Sequence, residues 1–125
     1  MSLGRVMVVD DELEVRQVLC EFLEARGYQV QPVESGIQAL AVLDAFKPDV
    51  VLLDVSMPEM DGVETLKRIV SLHPTLPVIM VTANADIVVT SQLLALGAAD
   101  YIPKPFDLEY LDQAVSIQVS ASQDQ

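Results

Sequence analysis

Polar residues suited to chemistry stand where short apolar runs of the chain end. The residues that follow successive runs are Asp10, Asp11, Glu12, Asp54, Thr82 and Lys104. If the runs are parallel strands of one sheet, their carboxyl ends meet at one edge, so these side chains would lie together. Two like charges ~4 Å apart repel by about 4 kcal/mol at an effective dielectric constant of 20, and a divalent cation would relieve that repulsion. Carboxylate oxygens on a small rigid edge favour Mg²⁺, which keeps several waters and often shares a phosphoryl oxygen.

An ordinary structural explanation competes for some of these residues. Acidic side chains favour the first turn of a helix, which accounts for one or two of the three in Asp10-Asp11-Glu12. It does not account for Asp54, which follows four apolar residues, or for Lys104 before a proline. The combined set at the ends of four strands therefore favours a functional site.

The elements that would position these residues alternate between short β-branched runs and longer stretches of helical period. Strands are predicted over 5–9, 29–33, 50–53, 77–81 and 100–102. Helices are predicted to follow each strand, over 13–26, 35–46, 61–70, 86–96 and from 107 through 115. Five strand–helix units with short connections predict one parallel sheet with helices on both faces.

Local signals support these boundaries. Gly27 stands just past the first helix, Ser35 with Gln38 forms a capping-box start, and Pro48 ends the second helix. Asp61 and Asp107 are predicted to open the third and fifth helices. The run Gln29–Val33 is more polar than the others, which predicts an edge strand. The apolar stripe predicted for the first helix consists of Leu13, Val15, Val18, Leu19, Phe22 and Leu23.

Composition limits the class of protein. The chain has 125 residues, 51% of them hydrophobic, and 7 basic against 19 acidic residues give a net charge of 7 − 19 = −12. One domain with a real core is expected, and the negative charge argues against direct binding to nucleic acid or to an anionic membrane. One cysteine, Cys20, and one histidine, His73, cannot build a zinc site, and no apolar run reaches the ~18 residues of a membrane helix. A cytoplasmic protein is the resulting expectation.

Four motifs in order carry a specific resemblance. They are Val8-Val-Asp-Asp-Glu12, Leu52-Leu-Asp-Val-Ser-Met-Pro-Glu-Met-Asp-Gly62, Val81-Thr-Ala83 and Leu96-Gly-Ala-Ala-Asp-Tyr-Ile-Pro-Lys-Pro-Phe106. From Arg5 to about Val119 the chain resembles the receiver domain of two-component response regulators. The resemblance implies a flavodoxin-like, doubly wound (βα)5 three-layer sandwich with five parallel strands in the order 2-1-3-4-5. It also implies a phosphoacceptor signalling domain rather than an enzyme, with residues 120–125 as a tail or the start of a linker to an output domain.

The resemblance assigns roles to individual residues. Asp54 would accept a phosphoryl group from a phosphohistidine of a sensor histidine kinase or a histidine phosphotransfer protein. Asp10, Asp11, Asp54 and the backbone carbonyl of Ser56 would bind Mg²⁺, with Mn²⁺ as an alternative. Lys104 would pair with the phosphoryl group and Thr82 would hydrogen-bond to it. Tyr101 would change rotamer with signalling state, and the Lys104–Pro105 peptide bond would be cis.

Other families fit less well. A haloacid-dehalogenase-type phosphatase needs a second aspartate two residues after the first, where this chain has Ser56. A flavodoxin-type flavin binder needs a Ser/Thr/Gly-rich phosphate loop where Asp10-Asp11-Glu12 stands. Nucleotide loops of the Walker or dinucleotide type need closely spaced glycines, which the sequence lacks. A non-signalling pseudo-receiver stays open, although the acidic pair, the acceptor and the lysine are all present.

The fourth helix contains more apolar residues than one buried stripe can hold. Ile87-Val-Val89, Leu93-Leu94 and Leu96 predict either a surface patch that binds a partner or a wider buried face. Thr82 leads into this helix, and Tyr101 lies on the adjoining strand. Phosphorylation is therefore expected to alter the surface of the fourth helix, fifth strand and fifth helix, and with it homodimerisation or partner binding at that surface. Cys20 and His73 are expected to be structural.

Overall fold

Five strands alternate with five helices along the chain. The computed structural model describes residues 2–55, 61–83 and 87–123; of residue 87 it describes the backbone alone. The strands are β1 (Arg5–Val9), β2 (Gln29–Val33), β3 (Val50–Asp54), β4 (Val78–Thr82) and β5 (Asp100–Pro103). The helices are α1 (Leu13–Ala25), α2 (Gly36–Phe46), α3 (Gly62–Leu72), α4 (Ile87–Ala95) and α5 (Leu108–Gln123).

The strands form one parallel sheet in the order β2-β1-β3-β4-β5. This confirms the predicted topology and the edge position of β2. The strand order reverses between β1 and β3, and ligands of such sheets bind beyond the carboxyl ends of the strands at that point. The ends of β1 and β3 are where Asp10 and Asp54 stand.

Alternate residues of each central strand enter two separate cores, one on each face of the sheet. Met7, Val51 and Met80 pack against α2, α3 and α4, whereas Val8, Leu52 and Ile79 pack against α1 and α5. The helical residues in the first core are Ala39, Leu43, Leu66, Ile69 and Leu93, and those in the second are Leu19, Leu23, Leu111, Ala114, Val115 and Val119. Burial on both faces explains why the central strands are continuous apolar runs.

Hydrogen bonds confirm the predicted starts of α2, α3 and α5. Ser35 and Asp61 cap α2 and α3 by accepting from the N–H groups three residues on, at 3.1 Å and 2.8 Å. Asp107 accepts from the N–H of Glu109 before α5. Beyond α1, Gly27 has a φ of 101°, the left-handed conformation that glycine adopts without steric cost.

One detail of the predicted helices is wrong. Leu13 and Val18 do not belong to the buried stripe of α1, since they are 59% and 48% exposed. At about 100° per residue, Leu13 lies on the opposite side of the helix from Val15, and Val18 lies at the margin of the row that packs on the sheet. The polar segment from 116 onward, which the sequence left open as a helix end or the start of a linker, continues α5 to Gln123, and Val119 still packs in the core.

No helix in the described ranges combines the length and apolarity needed to cross a membrane.

Candidate functional site

The sheet brings the predicted site residues together at the carboxyl ends of its strands. Asp10 follows β1, Asp54 and Thr82 end β3 and β4, and Lys104 follows β5. In the strand register Asp54 lies beside Val81 and Thr82 lies beside Pro103. We refer to Asp10, Asp11, Glu12, Asp54, Thr82 and Lys104 as the rim.

Lys104 is at the centre of the charges on the rim. Its Nζ lies 3.2 Å from Asp10 Oδ2, 3.5 Å from Asp54 Oδ1 and 3.8 Å from Glu12 Oε1. The side chains of Asp10 and Asp54 are only 3% and 6% exposed, so their charges are largely removed from water. Lys104 therefore partly neutralises three carboxylates at once.

The pKa of Lys104 reflects two opposing effects. Burial alone would lower the pKa by disfavouring the ammonium form, but the charges of Asp10, Asp54 and Glu12 and the hydrogen bond to Asp10 outweigh it. The net result is a pKa raised above the ordinary 10.5. Lys104 is therefore a fixed positive charge at neutral pH.

Asp10 is held by partners on every polar group. Its N–H donates to the carbonyl of Val33 at 3.2 Å, and its carbonyl accepts from Arg16 Nη1 at 2.7 Å. Its carboxylate accepts from the N–H of Glu12 at 2.9 Å and from Lys104. Such saturation offsets the cost of burying a carboxylate.

The donor set of the β1–α1 loop fits a hard divalent cation. Carboxylate oxygens of Asp10, Asp11 and Glu12 lie within 4.8 Å of one another, with Asp10 buried and the other two exposed. An all-oxygen set with one fixed and two solvent-facing carboxylates suits Mg²⁺, which binds through few protein ligands and retains waters. Glu12 was grouped with these carboxylates from its position after β1, but it was not in the ligand set that the resemblance implied. Ser56, whose carbonyl was expected to bind the metal, lies outside the described residues.

A cavity of about 360 Å³ opens at the rim beside Asp54. Its lining residues are Glu12, Asp54, Val55, Thr82, Ala83, Val89 and Lys104. Thr82 is buried, and its carbonyl accepts from the N–H of Lys104 at 2.8 Å, which ties β4 to the loop after β5. The cavity therefore places Asp54, Thr82 and Lys104 around one space that a small group can enter.

Two further predicted features have clear positions. The Lys104–Pro105 peptide bond is cis, as the resemblance implied. Tyr101 is half-buried on β5, beside Met80 of β4, and packs against the core that also contains Leu93 of α4. Tyr101 therefore lies on an edge strand of the sheet, three residues before Lys104 of the rim.

Gly62 has a role that the sequence interpretation did not assign. Its N–H donates to the carbonyl of Val55, and a Cβ at this position would lie 2.1 Å from the carbonyl oxygen of Asp54. Only glycine allows the start of α3 to approach the end of β3 this closely. The signal in the sequence was Asp61-Gly62 after a buried strand, which was interpreted only as a helix start.

Cys20 and His73 lie outside the rim, as expected. Burial and the nearby Glu24 raise the pKa of the half-buried Cys20 thiol, which disfavours the reactive thiolate. His73 Nε2 lies 2.9 Å from Asp44 Oδ1, at the opposite end of the sheet from the rim.

The chain is similar to signalling proteins over nearly its whole length. The family model described as the response regulator receiver domain matches residues 6–116. The DNA-binding transcriptional regulator NtrC of Salmonella typhimurium is 42% identical over 125 residues, which cover all of this chain and 27% of that protein. A protein-glutamate methylesterase/protein-glutamine glutaminase of Rhodospirillum rubrum is 44% identical over 119 residues, 93% of this chain and 30% of that protein.

Solved structures show the same fold. A response regulator receiver domain protein (CheY-like) from Methanospirillum hungatei has a TM-score of 0.91 at 28% identity, with 98% of each chain covered. NtrX from Brucella abortus has a TM-score of 0.90 at 29% identity, covering 98% of this chain and 28% of that one. The chain thus spans about a quarter of the length of several relatives that carry other domains. With its five-stranded parallel sheet and the family match over residues 6–116, the chain belongs to the response regulator receiver domain family.

Proposed function

We propose that Asp54 is the phosphoacceptor of this receiver domain, in a reaction that depends on Mg²⁺. The observation that carries the proposal is the contact of Lys104 with both Asp10 and Asp54 at the mouth of a cavity lined by Thr82. The phosphoryl donor would be a phosphohistidine of a sensor histidine kinase or a histidine phosphotransfer protein. As Asp54 Oδ bonds to phosphorus, the P–N bond breaks and its electron pair stays on the imidazole.

Each residue has a defined task in this reaction. An anionic phosphoryl donor is repelled by Asp54, and the ammonium of Lys104 offsets that repulsion and takes up charge on the phosphoryl oxygens. Thr82 would donate a hydrogen bond to a phosphoryl oxygen. Asp10 and Asp11, with Asp54 and Ser56 as further candidates, would bind Mg²⁺ or Mn²⁺, which supplies positive charge to the same oxygens. The exposed carboxylate of Glu12 is close enough to join through a water.

Acetyl phosphate tests the acceptor directly. With Mg²⁺ it should add one phosphoryl group, which intact mass and peptide mapping should place on Asp54. Asp54→Ala should abolish this modification, whereas Asp44→Ala, an exposed carboxylate on α2, should leave it unchanged. Unchanged phosphorylation of Asp54→Ala would overturn the assignment.

The metal is tested separately. Asp11→Asn removes a charged ligand and should weaken Mg²⁺ binding about 10-fold or more, whereas Lys104→Ala should not weaken it. Equal affinity of the wild type and Asp11→Asn in a calorimetric titration would count against the site.

We further propose that phosphorylation alters the surface formed by α4, β5 and α5. Thr82 ends the strand that precedes α4, and Tyr101 lies on β5 next to it. Val88 and Leu94 on α4 are 60% and 45% exposed, which supports the expected apolar patch, and Tyr110 on α5 is 44% exposed. A phosphoryl group that draws Thr82 inward would change the space available to Tyr101 and thereby bias homodimerisation or partner binding at this surface.

Chemical-shift mapping with and without beryllofluoride tests this route. Perturbations are expected in residues 85–115 as well as at the rim. The route is wrong if the perturbations stay confined to the strand ends.

A further inference from the structure

Arg16 on the first helix holds the backbone from which the acidic loop begins. It lies in the first turns of α1, and side chains there point back toward the helix N-terminus. Its Nη1 donates to the carbonyl of Asp10 at 2.7 Å, and its side chain is only 14% exposed. Its Nη2 lies 4.0 Å from Glu34, whose side chain is 68% exposed. The hydrogen bond to Asp10 is therefore the dominant contact, and the contact with Glu34 is secondary.

The position of this contact determines what Arg16 can influence. The peptide unit of the Asp10 carbonyl leads directly into Asp11, and Glu12 is the next residue. Asp10 is held on its other side by Val33 and through its carboxylate by Glu12 and Lys104. The guanidinium thus fixes the Asp10 carbonyl, the remaining polar group of that residue, and Arg16 itself lies outside the acidic cluster.

The three carboxylates of this loop are kept within 4.8 Å although they repel one another. A loop free to relax would separate the carboxylates, because separation lowers their repulsion. A hydrogen bond that fixes the peptide between Asp10 and Asp11 opposes that relaxation, as outer partners of metal ligands commonly do.

We propose that Arg16 is a positioning residue that raises the affinity of the Asp10-Asp11-Glu12 loop for Mg²⁺ by fixing the Asp10 carbonyl. The inference rests on the proposed function, since it concerns the metal that the phosphoryl transfer requires. The expected change in Mg²⁺ affinity is opposite to the one that charge alone predicts. By charge alone, a guanidinium near the loop repels Mg²⁺, so removing it would tighten Mg²⁺ binding. The positioning role requires the opposite, that removal weakens binding.

The test is a Mg²⁺ titration of four proteins by isothermal calorimetry. Arg16→Met removes the donor, and its dissociation constant for Mg²⁺ should rise about 10-fold. Arg16→Lys keeps the charge and one donor and should bind with intermediate affinity. Arg26→Met is the matched control, because Arg26 stands just past the end of α1 and pairs with a carboxylate, Asp112, away from the rim. It should bind Mg²⁺ like the wild type or slightly more tightly.

A second measurement separates positioning from general loss of structure. In acetyl phosphate reactions, Arg16→Met should need about 10-fold more Mg²⁺ for its half-maximal rate and should reach the wild-type rate at saturating Mg²⁺. A maximal rate that stays low at saturating Mg²⁺ would indicate a merely structural role and overturn the inference.

The outcomes distinguish this inference from the proposed function. If wild type is not phosphorylated in a Mg²⁺-dependent manner, the proposed function fails. If wild type behaves as proposed but Arg16→Met binds Mg²⁺ equally or more tightly, only the role of Arg16 fails. If Arg16→Met does not fold by circular dichroism, Arg16→Lys decides: wild-type affinity would then overturn the inference and a weakened affinity would support it.

Discussion

The two ends of the sheet each have a cavity and a pair of opposite ionisable groups, yet they differ in burial. At the rim, Lys104 is 19% exposed and contacts Asp10 and Asp54, which are 3% and 6% exposed. At the far end, His73 and Asp44 lie 2.9 Å apart but are 39% and 88% exposed. We call this second place the far-end cleft; it is lined by Leu43, Asp44, Lys47, Pro48 and His73.

The far-end cleft is the larger of the two cavities, so size alone would not select the rim. The far-end cleft has about 470 Å³ and the rim cavity about 360 Å³. What separates them is that water screens the charges of the cleft, whereas the rim holds several charges largely out of water. Concentrated charge removed from solvent, rather than volume, distinguishes the rim from the far-end cleft.

The largest expected effect is on phosphoryl transfer. Lys104→Met removes the cation that faces Asp54, so the rate of phosphorylation by acetyl phosphate should fall about 100-fold. Lys67→Met, which removes an exposed lysine of α3, should stay within about 2-fold of the wild type because exposed charges are screened. Phosphorylation is followed by mass spectrometry over time. If Lys104→Met is phosphorylated at the wild-type rate, the buried charge of Lys104 does not give the rim a function that the far-end cleft lacks.

Mg²⁺ should stabilise the Lys104→Met protein more than the wild type. Without the ammonium, the carboxylates of Asp10, Glu12 and Asp54 lack their shared partner, so the free energy of unfolding should drop in EDTA and recover with Mg²⁺. The melting temperature should shift by about 4 °C for each kcal/mol regained. Equal Mg²⁺ shifts in both proteins would show that Lys104 does not balance these charges.

The contribution of Lys104 to stability should disappear at alkaline pH. Because the pKa of Lys104 is raised above 10.5 in the folded protein, its contribution is fully present below pH 10.5 and is lost as the pH rises through the folded pKa. The difference in unfolding free energy between wild type and Lys104→Met should therefore be constant from about pH 7 to 10 and shrink above that range. Urea unfolding in EDTA measures this difference in unfolding free energy at each pH, with Lys67→Met as the control. A difference that persists undiminished to about pH 11.5 would contradict the charge balance.

The smallest effect is expected at the far-end cleft. His73→Gln and Asp44→Asn should each change the free energy of unfolding by less than about 1 kcal/mol, because a contact between exposed polar side chains contributes little. Neither should alter Mg²⁺ affinity or phosphorylation rate. A slower phosphorylation in either variant would mean that the two ends are coupled.

Much of the fold was readable from local patterns in this chain. Continuous apolar strands, caps such as Ser35 and Asp61, and short connections predicted five strand–helix units and one parallel sheet. The site residues were identifiable because parallel strands place their carboxyl ends at one edge, so Asp10, Asp54, Thr82 and Lys104 could be grouped from their positions after strands alone.

Contacts between groups far apart along the chain became known only from the folded molecule. Packing of α1 on the sheet selected Val15 over Leu13 for burial, although both are apolar. The approach of α3 to the end of β3 made Gly62 indispensable, and the reach of Arg16 to the Asp10 carbonyl became visible only in three dimensions. Local sequence determines where a strand or helix begins, because propensities and caps act within a few residues. Which carboxylate Lys104 contacts is set by packing between strands, where distances of a few ångströms decide the electrostatic energy.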